Sequence, residues 1–197
     1  MEGRLIYRGY DINQLIAGFT REKRFGYEEI AYLLLFGKLP NQEEYTAFRK
    51  LLSDHMSLPA GFTEDMILKA PSSNIMNKLA RSALVLYSYD DNPDAIDLDN
   101  MVRQSIQLIA QFPLIVAHAY AAKVHYYDGG SLILHWPVPD FSIAENFLHS
   151  IRPDSKFTEE EARLLDLCLV LHAEHGGGNN SAFTCRVLSS SGTDTYS

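Results

Sequence analysis

At 197 residues, with 46% hydrophobic and 21% charged positions, the chain has the make-up of one ordinary globular domain, long enough to bury a real core. Acidic residues outnumber basic ones, giving a formal net charge of -8. That balance argues against nonspecific binding to nucleic acid or anionic membrane, both of which want a Lys/Arg surplus. The start, Met1-Glu2-Gly3-Arg4, lacks signal-peptide character, and no apolar run is expected to reach the length of a membrane span. The two cysteines, Cys168 and Cys185, sit in apolar helical patterns and predict free buried thiols, so a cytoplasmic, reducing compartment is expected.

Arg4 to Tyr10 reads as a short extended piece broken by Gly9, and Asp11 is placed to cap a short helix through Phe19. Tyr27 to Phe36 predicts a helix that Gly37 and Pro40 end. Asn41 and Glu44 have capping-box spacing and open a helix to about Met56. A short helix is expected after Thr63, and Pro71-Ser72-Ser73 is expected to open a longer one with an apolar stripe of Ile75, Leu79, Ala83, Leu86 and Tyr87. Asp90 to Pro93 is a turn. The longest helical pattern runs from Leu98 to about Tyr126, and Pro113 within it predicts a kink. Asp128 to Pro139 reads as a loop with a strand at Leu132 to His135. Helices follow from Ser142 to Ile151, where Glu145-Asn146 reads as a solvated polar face, and from the capping box Thr158/Glu161 to Glu174. The glycines 176–178 stop that helix, and a last one spans about Ser181 to Ser189. Alternating strand–helix units are absent, so the fold class is mainly α. Thr193-Asp194 look like the start of a further helix just before Ser197, the pattern expected of a chain cut short.

The richest cluster is His172-Ala-Glu-His175-Gly-Gly-Gly-Asn179-Asn-Ser181. As a metal site it offers two histidines three apart, without HExxH or HxxEH spacing, so no metal is expected. As an esterase HGGG loop it lacks the GxSxG elbow and the parallel sheet that go with one. As an anion-binding turn it has glycines that let the backbone approach closely, a helix N-terminus with exposed N–H groups, and His175 and Asn179 as donors, which suits a small dicarboxylate. The plain alternative is a tight helix–helix turn with His175 as a satisfied core histidine. His55, His118, His125, His135 and His149 read as isolated surface or packing residues. Tyr7, Arg8 and Tyr10 read as packing plus a surface cation.

Leu5-Ile-Tyr-Arg-Gly-Tyr-Asp11, Tyr27 to Pro40 with its Gly-Lys-Leu-Pro ending, Ala144 to Leu148, Arg152-Pro-Asp154 and above all Leu171 to Ser197 resemble segments of the citrate synthase family. The resemblance covers essentially the whole chain and implies the helical large domain of that fold over 1–197, with no separate second domain. It implies an acyltransferase that condenses acetyl-CoA, as co-substrate, with oxaloacetate to give citrate and CoA, with no cofactor. His175 matches the histidine that hydrogen-bonds oxaloacetate, Asn179 the asparagine that follows it, and Ser181 a serine behind the catalytic histidine. Gly176 stands where some members carry glutamate. The family's GPxHGGAN and GHxVxR-like motifs, its catalytic aspartate and its carboxylate-clamping arginines have no counterpart up to Ser197. The resemblance therefore implies no catalytic residue in this chain, and no activity from it alone. It also implies a homodimer built on helices near 72–87 and 98–126. A 2-methylcitrate synthase using propionyl-CoA stays open, as does a noncatalytic helical dimerisation module.

Overall fold

The computed structural model describes residues 3–176 and 178–197. It is a helical array whose axis is one long helix. β1 (Ile6–Tyr7) and β2 (Tyr10–Asp11) form a two-stranded antiparallel hairpin. Its turn places Arg8 and Gly9 at φ of 48° and 93°, a left-handed pair that glycine makes affordable at the second position. α1 (Ile12–Arg21) follows, capped by Asp11, whose carboxylate accepts from the Asn13 amide. α2 (Tyr27–Phe36) ends at Gly37 in the left-handed conformation, as its sequence predicts. The capping boxes predicted for α3 (Gln42–Asp54), α6 (Ile143–Ile151) and α7 (Glu159–His172) are all formed.

Thr63–Leu68 is a π-helix, a wider coil than sequence periodicity signals. α4 (Ile75–Leu86) starts later than Pro71-Ser72-Ser73 suggests, because Asn74 is the cap and accepts from the Asn77 amide. α5 (Leu98–Asp128) is 31 residues long and packs against α3, α4, α6 and the π-helix. By length and composition α5 is apolar enough to cross a membrane, against the sequence expectation. Half of its most apolar window is buried inside this chain, and its buried face carries Gln104, Gln111 and His118. α5 is thus the central packing helix of the array.

Three apolar clusters surround α5. Tyr32, Phe48, Leu52, Ile106 and Ile143 join α2, α3, α5 and α6. Tyr7, Leu15, Phe19, Ile30 and Val170 join the hairpin, α1, α2 and α7. Phe62, Ile67, Leu86, Ile115 and Tyr196 join the π-helix, α4, α5 and the C-terminal segment. Two buried acids tie helices end to end. Asp166 on α7 accepts from the Gly26 and Tyr27 amides at 2.8 and 3.0 Å, capping α2 from a distance. Glu28 on α2 accepts from the Ile143 amide at 2.8 Å, capping α6. The first four amides of a helix lack intrahelical partners, so each acid satisfies donors that would otherwise be buried unpaired.

Several expectations are corrected. Residues 131–138 form no strand. That stretch is held one group at a time: His118 Nε2 donates to the His135 carbonyl, His135 Nε2 to the Pro153 carbonyl, and the Val138 amide to Asn146 Oδ1. Asn146 is buried rather than solvated, because its amide serves both the Val138 N–H and carbonyl. His118 is fully buried, its Nδ1 3.0 Å from the Thr63 hydroxyl. Cys168 and Cys185 are exposed, since each lies on the outer side of its helix. On α4 and α5, Ser82, Leu86, Ile106 and Ala117 are buried within this chain, Leu79, Ala83, Ile109 and Val116 are half-buried, and Met76, Leu84 and Tyr120 are exposed.

Candidate functional site: the turn between α7 and α8

α7 ends at His172, two residues before the predicted Glu174, and Ala173 closes it. The last carbonyls of α7 are claimed from outside. The hydroxyl of Tyr7, fully buried, donates to Val170 O at 2.8 Å and lies 3.2 Å from Glu174 O. It also accepts from the Glu174 amide at 3.4 Å. Burial pushes the Tyr7 phenol up, so it stays a neutral donor. The hairpin at the N-terminus thus fixes where the chain leaves α7.

Beyond that anchor the chain turns sharply. The Glu174 carboxylate accepts from the Gly176 amide, and Gly176 sits at φ 73°, in the left-handed region where a side chain is strained. A Cβ added at this position meets no neighbouring atom but must adopt that strained backbone. Gly177 lies outside the described residues. Asn179 then caps α8 (Asn180–Ser189), its Oδ1 accepting from the Ser181 and Ala182 amides at 2.9 and 3.2 Å. The cap uses the amide oxygen, so the NH2 end of Asn179 is the end not engaged by it. His175 is exposed at the start of the turn and Ser181 is exposed in the first turn of α8.

Each reading of the cluster meets this arrangement differently. His175 is not a core histidine, because the turn lifts it off the packed end of α7. His172 Nδ1 is 2.7 Å from the Cys168 carbonyl, a bond internal to α7. Among the described residues no group of three His, Cys, Asp or Glu is placed to hold a metal. An esterase loop belongs to a sheet, and the only strands among the described residues are the two of the hairpin. The N-terminus of α8 is capped by Asn179, four residues after the exposed His175, and the potential at a helix N-terminus favours an anion.

α8 itself buries no residue in this chain. Along its flank lies a cleft of about 850 Å³, bounded by Ser181, Thr184, Cys185 and Leu188 of α8, Ile96, Met101 and Ser105 across from it, and Thr193–Ser197 at its end. A second, almost wholly apolar groove of about 510 Å³ runs between α5 and α7 through Leu108, Phe112, Leu165 and Leu169.

The family sequence description "Citrate synthase, C-terminal domain" matches residues 1–197. The chain belongs to the citrate synthase family. Among its relatives, the peroxisomal citrate synthase 1 of Arabidopsis thaliana is 34% identical over 99% of this chain and 40% of its own length. The 2-methylcitrate synthase 1 of Corynebacterium glutamicum is 31% identical over 98% of this chain and 48% of its own. The crystal structure of citrate synthase from Pyrobaculum aerophilum superposes with a TM-score of 0.82 at 26% identity, covering 98% of this chain and 47% of that one. The mainly α expectation and the family resemblance both hold. This chain spans about half the length of the citrate synthases it matches.

Two features of the citrate synthase frame escaped the sequence reading. In sequence Tyr7 reads as packing, while its hydroxyl organises the end of α7. Asp90 reads as part of a turn, while its carboxylate receives Tyr196, Arg103 and Gln104. A tyrosine and an acid far apart in sequence carry no mark of their pairing, and no local pattern could have joined them.

Proposed function

We propose that the α7–α8 turn is the oxaloacetate-binding element of a citrate-forming enzyme that condenses oxaloacetate with acetyl-CoA, without a cofactor. The single observation that carries this reading is the exposed His175 set beside the capped N-terminus of α8, in a chain of this family. His175 donates to a substrate carboxylate or carbonyl oxygen. The amide NH2 of Asn179 adds a second donor, and the α8 N-terminus adds favourable potential. Ser181 stands one turn behind, where a hydroxyl supports a neighbouring catalytic group without touching oxaloacetate. The acyl-transfer chemistry needs a base to remove a methyl proton and donors to stabilise the enol, and no residue in 1–197 is assigned to either task. The 197-residue chain on its own is therefore inactive in this reading.

The domain is a single large domain over 1–197 in the cytoplasm, assembled as a homodimer. A 2-methylcitrate synthase stands among the relatives, so propionyl-CoA is the alternative acyl donor. The exposed apolar groove between α5 and α7 favours a second reading, a noncatalytic helical module whose role is association.

The test is a proton NMR titration of the histidine ring signals with oxaloacetate at millimolar concentration. The His175 signal is expected to shift and saturate, to be absent in His175→Ala, and to stay still with a monocarboxylate of equal ionic strength. A His175 signal unmoved by oxaloacetate removes the substrate reading and leaves the association module.

A further inference from the structure

α8 is held in an unusual way. It is ten residues long, none of its residues is buried, and Phe183 and Val187 are 60% and 52% exposed. A helix this short gains little from propensity and normally depends on an apolar face packed against its neighbours. Here the packing is missing, and the helix is strung between two anchors. The first is the Tyr7 hydroxyl at the end of α7. The second is at the other end, where Thr193–Ser197 return to the body of the fold.

The second anchor is a built cluster. Asp90, whose side chain is only 2% exposed, receives the Tyr196 hydroxyl at 2.7 Å, the Arg103 guanidinium at 2.7 and 2.8 Å, Gln104 Nε2 at 3.0 Å and the Asn92 amide at 2.9 Å. The Thr195 hydroxyl donates to Gln104 Oε1, so two consecutive residues of the C-terminal segment grip one end of α5. The Tyr196 ring is buried and packs edge-on against Tyr87 at 6.4 Å between centroids. Asp194 folds the segment locally by accepting from the Tyr196 and Ser197 amides. Burial alone would raise the Asp90 carboxyl, but the Tyr196 hydroxyl and Arg103 outweigh it and hold it well below the usual carboxylate range. The acceptor therefore stays charged, and hydrogen bonds to a charged acceptor are the stronger kind.

We propose that Asp90, through Tyr196 and Thr195, is a positioning residue for α8, and so for the His175–Asn179 anion site at its other end. The inference rests on the oxaloacetate reading for what the site binds, but not for the clamp itself. Asp90 touches no ligand. It fixes the C-terminal end of a helix whose N-terminus is the binding element, and it closes the far end of the cleft beside α8. With that end released, α8 pivots on the Tyr7 anchor, and the Asn179 cap and His175 lose their fixed relation.

The experiment uses Tyr196→Phe, which removes one hydroxyl and keeps the ring against Tyr87, beside Asp90→Asn. Hydrogen exchange of the intact chain is read amide by amide. Loss of the charged hydrogen bond is expected to raise exchange over 180–189 by about tenfold while the α5 amides 110–119 hold their protection. In the titration described above, both variants are expected to weaken the oxaloacetate shift of His175, and Tyr196→Phe to weaken it about tenfold. Exchange over 180–189 equal to the unaltered chain overturns the clamp. A parallel rise across α5 also overturns it, since the cluster would then serve general stability. If the unaltered chain shows no oxaloacetate shift while the local exchange effect is present, the substrate reading fails and the clamp stands.

Discussion

The Tyr7 hydroxyl donates to the Val170 carbonyl at 2.8 Å across 163 residues of sequence, and this one bond sets where the chain leaves α7 for the candidate site. Tyr7→Phe keeps the buried ring and removes only the donor. It leaves Val170 O, already bonded within its helix, with one partner fewer, and the Glu174 backbone without its side-chain partner. A cost of about 1 kcal/mol is expected from urea denaturation. Amide exchange should rise most at 172–176 and little in α2. A uniform rise over the whole chain would show that the hydroxyl serves general stability and does not set the exit from α7.

Glu28 and Asp166 make stability fall as pH rises above the ordinary carboxylate range. Burial is the main cause that pushes both carboxyls up, while the backbone amides they cap pull the other way. A carboxyl whose folded pKa lies above its unfolded value, near 4.3 for glutamate, keeps its proton in the folded state after the unfolded chain has released it. Its contribution to stability is therefore full below about pH 4 and is lost as pH rises through the folded pKa. Glu28→Gln retains an acceptor for the Ile143 amide and abolishes that loss. The variant is expected to gain on the unaltered chain between pH 4 and pH 7, read as a difference in urea midpoints. A difference that does not change with pH would show that Glu28 titrates alike in the folded and unfolded states.

His118 has the opposite sign. Burial pushes its imidazole down, against the His135 carbonyl that favours the charged form. Its folded form is neutral, with Nε2 donating to His135 and Nδ1 accepting from Thr63. Stability from this residue is fully present above the unfolded value near 6.5 and is lost as pH falls through it. His118→Ala opens a cavity and strands the Thr63 hydroxyl and the His135 carbonyl, at a cost of about 3 kcal/mol. The thermal midpoint of the variant should also vary less between pH 7.5 and 5.5. An unchanged slope would show that the imidazole titrates alike in both states.

A direct assay of catalysis checks the proposal that 1–197 is inactive on its own. With the proton-abstracting base and the enol-stabilising donors unassigned, CoA release from acetyl-CoA and oxaloacetate should stay at background. A thiol-release assay settles it, and turnover near ~10 s⁻¹, ordinary for an enzyme, would place catalytic groups inside this chain.

How much of this was legible in the sequence divides by range. Helix ends written in local chemistry could be read: Asn41 with Glu44, Ser142 with Glu145, Thr158 with Glu161, and Gly37 as a left-handed stop. Elements whose partners lie elsewhere could not. Asp166 caps α2 from 140 residues away, and nothing near Gly26 announces it. The stretch 131–138 has strand-like residues but no strand beside it, so tertiary bonds to His118 and Asn146 hold it as a loop. The π-helix at Thr63 has no sequence period to betray it. At the candidate site the residue types were visible in the His175–Ser181 run, while the two anchors that orient it, Tyr7 and Asp90, are contacts made only by the fold.

α4 and α5, the helices expected to meet a second subunit, expose Met76 at 74%, Leu84 at 54% and Tyr120 at 42%. α7 and α8 expose apolar side chains as well: Leu164 at 64%, Phe183 at 60% and Val187 at 52%. Phe183 and Val187 are four apart, so they share one face of α8, and neither lines the cleft on its flank. An exposed helix face of this kind, on a helix with no packing of its own, is suited to a symmetric contact in which the same patch serves both chains. Light scattering over a concentration series is expected to give a dimer. Phe183→Glu with Val187→Glu should shift it to monomer, because two buried carboxylates facing their copies lack partners. Leu84→Glu with Tyr120→Glu should leave the dimer intact. The reverse pattern would return the contact to α4 and α5, and a monomer at tens of micromolar in the unaltered chain would show that neither face suffices.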